Sequence, residues 1–248
     1  MNSQEYTTKF GAHYLFNGFR LISERGMKRF VIIPLIINIF VFIALWWYAF
    51  YELSILTTWV EGLIPGWLAW LGILIYAIAI VGLLLFTAYA FSTIALIVAS
   101  PFYGFLAEKI QLKLTNQPVG STINVTRLLL IAPKAMIREL SKMLSFLPWV
   151  ILILVCYFIP GLNLITSLMW FVLLSWINVV QYADYAFDNN DISFAIMKKQ
   201  LGSKKTLSLS FGAITTLLLI VPFLSIIVIP AAIAGSTAMY IDHWHDKD

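Results

Sequence analysis

The sequence predicts an all-α integral membrane protein: two long transmembrane helices, two re-entrant helical hairpins that penetrate the bilayer part-way, and amphipathic helices on the cytoplasmic side. Three observations carry this expectation. Hydrophobic residues make up 61% of the 248-residue chain and charged residues only 11%, whereas about a quarter of a soluble domain is charged. Four stretches, 30–51, 62–107, 143–183 and 206–241, contain no Asp, Glu, Lys or Arg. The basic residues between them are one-sided: five in 1–29, six in 108–142, four in 184–205, one in the tail, and none in 52–61. Cytoplasmic loops carry the Lys/Arg excess, so every connecting segment except 52–61 is placed in the cytoplasm, both termini included.

A helix needs about 20 apolar residues to cross the hydrocarbon core. Residues 30–51 fit one crossing. Pro34 falls in its first turns, where a missing N–H does least harm, and "WWY" at 46–48 suits an interfacial belt. The 62–107 stretch is longer than one crossing requires. "GLIPGWLAW" reads as an interfacial approach and 71–98 as the crossing. Ser100-Pro101 is expected to break or bend the helix, and "FYGFLAEKIQLKL" to continue as an amphipathic surface helix.

The last two stretches start and end on the cytoplasmic side, so each must enter and return. "FIPG" at 158–161 supplies the first turn; Pro222 divides the second stretch and Pro230 interrupts its return limb. Limbs 143–159 and 206–221 have 17 and 16 residues. At ~1.5 Å per residue they reach about 25 Å, short of the ~30 Å core. Two partly penetrating hairpins at 143–183 and 206–241 follow, within a single membrane domain spanning 1–248. Non-helical backbone at membrane depth must be buried in protein or face water, and the tip at Ile159, Pro160, Gly161, Leu162 and Asn163 falls under that condition.

No short apolar leader with a small-residue cleavage site opens the chain, so the first apolar helix is expected to be retained. The single cysteine, Cys156, lies in an apolar run and reads as packing. "HWH" at 243–245 lacks a clear third ligand for a metal and reads as a solvated tail. No Ser-His-Asp order, HExxH or Gly-rich phosphate loop is present. Neither an enzyme nor a cofactor is expected, and no aromatic-basic pattern suggests nucleic acid.

One stretch resists the orientation argument alone. "SERGMKRF" at 23–30 sets Arg25, Lys28 and Arg29 against the first turn of a helix whose positive dipole end repels them. Two readings stand: an orientation signal that also meets lipid phosphate, or a site that holds an anion between the cations and the dipole.

Four segments in order are similar to one family: "GFRLISERGMKRFVIIPLIIN", "FSTIALIVASPFYGFLAEKI", "YFIPGLNLITSLMWFVLLSWINVVQYADYAFDNN" and "FGAITTLLLIVPFLSIIVIPAAIAGSTAMYID". The set resembles the CysZ family of bacterial inner-membrane sulfate permeases. The resemblance implies sulfate uptake for cysteine biosynthesis, an inner-membrane location, two long helices with two hairpins, and homo-oligomers within membrane lipid. It also implies sulfate binding at a Gly-x-basic-basic turn, here Gly26, Met27, Lys28 and Arg29, with Arg25 beside it. Sulfate accepts hydrogen bonds without donating any. A helix N-terminus offers unsatisfied N–H groups, Gly26 lets backbone approach an oxyanion closely, and Arg29 can supply paired donors. Lys28 offers a point charge rather than a fork.

Polar residues that could line or gate a route are Asn38, Asn163, Glu108, Arg127, Arg138, Asp184 and Asp188, with Ser92, Asn178 and Gln181 as further candidates. The bland alternative for each amide and hydroxyl is a helix–helix hydrogen bond. Asp184 and Asp188 share one helical face and would repel sulfate, so they read as a salt-bridge scaffold or gate partner. Two other functions stay open on the sequence: a membrane scaffold that shapes the bilayer, and a permease for a different oxyanion.

Overall fold

The computed structural model describes residues 10–63, 69–117, 125–221 and 223–245. Among them are eight helices and no strands: α1 Gly11–Ser23, α2 Arg29–Leu63, α3 Ala69–Thr115, α4 Val125–Tyr157, α5 Asn163–Asn189, α6 Phe194–Ser203, α7 Lys205–Leu219 and α8 Ser225–His243. The chain divides into two compact units, one formed by 1–31 with 103–248 and the other by 32–102.

The 32–102 unit consists of most of α2 and α3. Both are apolar all round, the pattern of a lipid-facing helix. Phe40, Trp47 and Leu85 are each about two-thirds exposed or more, which hydrocarbon tolerates and water does not. Within the unit, Trp46, Ala49, Phe50 and Leu53 line one small apolar cavity with Ile80, Leu83, Leu84 and Thr87. Each set follows i, i+3, i+4, i+7 spacing, the single-face period of a helix. The Phe42 and Phe91 rings meet edge to face at 5.1 Å. Residues 64–68, inside the expected interfacial approach, lie outside the described residues.

Of the break or bend expected at Ser100-Pro101, the break does not form. Helix α3 runs for 47 residues without a break at Pro101. Proline removes one N–H and crowds the preceding turn, yet an apolar setting gives the chain nowhere better to satisfy its remaining backbone groups. The expected surface helix is therefore the continuation of α3.

In the other unit α1 packs along α8 and α7, and α5 packs on α7 and α8. Helices α7 and α8 pack more extensively on these partners than on each other. Helix α8 buries most of its length through small residues, Ala231, Ala232, Ala234, Gly235 and Ala238, which let neighbouring backbones approach. In the same core lie Leu15, Leu106, Ile110, Val180 and Phe187 from the other helices, all fully buried. Polar bonds tie the same helices: the Ser236 hydroxyl donates to Tyr182 O at 2.8 Å, and Asn178 Nδ2 donates to Thr216 Oγ1 at 2.9 Å. Pro230 is buried inside α8 without ending it, so the return limb is not interrupted there. Pro222 lies outside the described residues.

The "FIPG" turn forms as expected. Helix α4 ends at Tyr157, α5 begins at Asn163, and Gly161 takes φ +90°, a value that favours glycine. The limbs of this first hairpin, however, are longer than the uncharged stretch implied. Among the described residues, five helical segments are long and apolar enough to cross a bilayer: Arg29–Ile55, Gly72–Phe91, Ile137–Tyr157, Ile165–Asn189 and Ser225–His243. Lys205–Leu219 is shorter. The uncharged stretch began only at 143 because Arg138, Glu139 and Lys142 were read as its boundary. Those charges are matched within the protein, and the helix passes through them. Length thus permits a crossing by α4, α5 and α8 and denies it, at ~1.5 Å per residue, only to α7.

Candidate anion turn and buried ion network

Helix α1 stops at Glu24, whose backbone is extended at φ −75°, ψ 158°. Gly26 then turns the chain at φ +90°. The Met27 N–H donates to Glu24 O at 3.2 Å, Phe30 N–H to Met27 O at 3.0 Å and Val31 N–H to Lys28 O at 3.1 Å. Among the described residues, the N–H groups of Gly26, Lys28 and Arg29 meet no carbonyl. These are the orphan donors expected where a helix begins.

The turn has a fixed side and an open side. Met27 and Phe30 pack against the core, and Glu24 forms an ion pair with Lys113 of α3. Arg25, Gly26, Lys28 and Arg29 are exposed. Nothing lies within 4 Å of where a Gly26 side chain would begin. The Arg29 guanidinium rests over the Phe30 ring at 5.0 Å, a cation–π contact. Met27, counted among the candidate ligands, is engaged at its N–H and partly buried against the core at its side chain, so it anchors the turn. Three exposed cations and N–H groups without a carbonyl partner thus fall within the five residues 25–29, a set suited to an oxyanion.

The second constellation links α4 to α5. Arg138 and Asp184 form a two-pronged pair, Nε to Oδ1 at 2.7 Å and Nη2 to Oδ1 at 2.6 Å. Arg138 Nη1 also donates to Ile192 O at 2.8 Å and reaches Asp188 Oδ1 at 3.2 Å. The Lys142 ammonium, its side chain 2% exposed, donates to Asp184 Oδ2 at 2.9 Å, Glu139 Oε1 at 2.7 Å and Gln181 Oε1 at 3.3 Å. The expected grouping of Arg138, Asp184 and Asp188 is present. Lys142, Glu139 and Gln181 complete it. The signal for Lys142 was available: Arg138/Lys142 and Asp184/Asp188 are both i, i+4 pairs, of opposite sign, on adjacent limbs of one hairpin.

The other candidates do not gather there. Asn38 belongs to the 32–102 unit, where its Oδ1 is buried without a hydrogen-bond partner among the described residues. Glu108 is partly buried on α3. The side chains of Ser92, Arg127 and Asn163 lie outside the described residues.

The solvated-tail expectation for "HWH" is overturned. His243 and Trp244 are 8% and 5% exposed. His243 Nε2 lies 3.1 Å from the Tyr14 hydroxyl and its Nδ1 2.7 Å from the Lys204 ammonium. Tyr14 donates to Asp242 Oδ2 at 2.9 Å. Burial of Phe187 against Tyr240 and Trp244 draws the end of α8 inward and carries the histidine with it.

Helices of this length and polarity, with a cationic turn opening α2, define a multi-pass helical membrane protein carrying a candidate oxyanion site. The chain belongs to the sulfate transporter CysZ/etoposide-induced protein 2.4 family, whose model matches residues 14–230. It is 39% identical over 243 residues to the sulfate transporter CysZ of Pectobacterium atrosepticum, covering 96% of this chain and 87% of that one. The match spans the Gly26 turn, the α4–α5 hairpin and its ion network.

Proposed function

We propose that this protein is a sulfate permease of the bacterial inner membrane and imports sulfate for assimilation into cysteine. The Gly26 turn carries the reading: N–H groups without a carbonyl partner and the exposed Arg25, Lys28 and Arg29 cations fall within five consecutive residues, in a chain 39% identical to a sulfate transporter. Sulfate there is coordinated by Gly26, Lys28 and Arg29 with Arg25 beside them, and its charge removes the conflict between the cations and the dipole. The one-sided basic segments put the turn on the cytoplasmic side, so it receives sulfate at the end of the path. The Arg138–Asp184–Lys142 network holds the α4–α5 hairpin in register at the same side, and the protein works as a homo-oligomer.

Reconstitution in sealed liposomes tests this. Labelled sulfate is expected to enter above the lipid background, with sulfite and phosphate run alongside to set selectivity. Lys28→Ala/Arg29→Ala is expected to weaken sulfate binding by roughly a hundredfold or more in calorimetry, two charge-assisted contacts being worth about 1.5–3 kcal/mol each when made, while the thermal midpoint stays unchanged. Entry at background for the parent protein would end the permease reading.

The hairpin course is testable separately. The tip is uncharged and apolar, with Phe158 81% exposed, which suits membrane depth better than an aqueous loop. Single cysteines placed at 159–163 are expected to resist a membrane-impermeant thiol reagent applied from the periplasmic side. Ready labelling would replace the part-way hairpin with full crossings by α4 and α5.

A further inference from the structure

The Gly26 turn carries one carboxylate as well as three cations. Glu24 sits two residues before Gly26, at the end of α1. A dianion bound at the turn would meet that negative charge at short range. Left alone, Glu24 would also be free to pair with Arg25 or Lys28 and draw them off the ligand. The structure gives it another partner: Lys113, on the last turn of α3.

The placement of Lys113 follows from the packing of α3. Leu106, Ala107 and Ile110 are fully buried in the core, and Lys113 continues that stripe at helical spacing one turn beyond it. Burial of the stripe brings the ammonium to Glu24. The pair is only partly exposed, 39% for the lysine and 35% for the glutamate side chain. An exposed ion pair of this kind adds little to stability. Its electrostatic effect on a neighbouring dianion is larger, because the charge of the ligand doubles each interaction.

We infer that Lys113 is a positioning residue for anion binding: it sequesters the Glu24 carboxylate, so that Arg25, Lys28 and Arg29 remain available to the ligand. The inference rests on the sulfate reading of the Gly26 turn. Lys113 acts through Glu24, and the two residues have opposite effects when changed one at a time. A bridge that merely propped the turn would respond equally to loss of either end.

The test is a cycle of variants of the full-length protein in detergent, titrated calorimetrically with sodium sulfate at low ionic strength, with thermal midpoints measured on the same samples. Lys113→Ala is expected to weaken sulfate binding about tenfold, the scale of one unscreened charge acting on a dianion several ångströms away. Glu24→Gln is expected to bind as tightly as the parent or tighter. Lys113→Ala/Glu24→Gln is expected to return to within about threefold of the parent, because no carboxylate remains to be sequestered. Raising salt should narrow every difference. Equal weakening by Glu24→Gln and Lys113→Ala, or unchanged affinity in Lys113→Ala, would overturn the inference. Lys28→Ala/Arg29→Ala in the same series separates the two layers: if it binds like the parent, the site reading fails; if it loses binding while the cycle gives either overturning result, only the role of Lys113 fails.

Discussion

Gly18→Val should yield little monodisperse protein, and Gly18→Ala should melt about 10 °C below the parent, a loss of roughly 3 kcal/mol. A Cβ at Gly18 would stand 1.9 Å from Ala231 O and 2.8 Å from Gly235 N. Both are backbone atoms of α8, and no rotamer change relieves them. Gly235 presents the mirror problem, its Cβ position lying 2.3 Å from Tyr14 O. Helices α1 and α8 therefore touch backbone to backbone, glycine against glycine. The only relief is to move α1 outward along its length. That strips Tyr14 from Asp242 and His243 and pulls on the turn that follows α1. Gly82→Ala and Gly202→Ala serve as controls, since nothing lies within 4 Å of either Cβ position. They should match the parent or exceed it slightly, because alanine is the better helix former. A Gly18→Ala midpoint equal to those controls would show that α1 does not rest on α8 in this way.

Much of the fold was legible because hydrocarbon imposes a simple code. Two long apolar helices, the "FIPG" turn and the membrane class all follow from uncharged length and punctuation. The extent of α4 and the setting of "HWH" were missed for one reason: charge or polarity was read as a boundary. Arg138 and Lys142 looked like the cytoplasmic end of a limb, yet Asp184 on the neighbouring helix compensates them, and α4 continues through. A cation's cost in an apolar setting depends on its partner, and partners 42 and 46 residues away are invisible to a window on the sequence. "HWH" failed for the same reason. Its polarity pointed outward, but the burial of Trp244 and the bonds from Tyr14 and Lys204 reversed the outcome. At Pro101 the local rule gave way to the cost of exposed backbone. The anion turn was the opposite case. Its residues are consecutive, so the glycine, the cations and the helix start could be read together. Its neighbour Lys113 could not, since only packing of the α3 stripe brings that residue to Glu24.

Asp184→Asn is expected to cost about 3–5 kcal/mol, the usual penalty for stranding a buried charge. Its two oxygens serve two cations, Arg138 on one and Lys142 on the other. The Lys142 side chain is 2% exposed, so it cannot turn to water when its partner is removed. The amide keeps the shape and one acceptor but withdraws the charge, leaving Lys142 only the exposed Glu139 and Arg138 only the exposed Asp188 as counter-charges. Asp188→Asn touches the same arginine at 3.2 Å from a side chain 41% exposed, and its cost should stay below about 1 kcal/mol. Lys142→Met should be milder than Asp184→Asn, because Arg138 still neutralises Asp184 and the uncharged thioether leaves no buried cation behind. The combined Asp184→Asn/Lys142→Met should recover part of what Asp184→Asn alone loses, since it removes one stranded cation. Thermal midpoints in detergent, read for all four variants, give the order directly. If Asp184→Asn and Asp188→Asn shift the midpoint equally, the network is a solvated surface cluster and the hairpin is held by its apolar contacts alone. If the expected order appears, the charged residues that seemed to end the limb are the ones that fix α4 against α5.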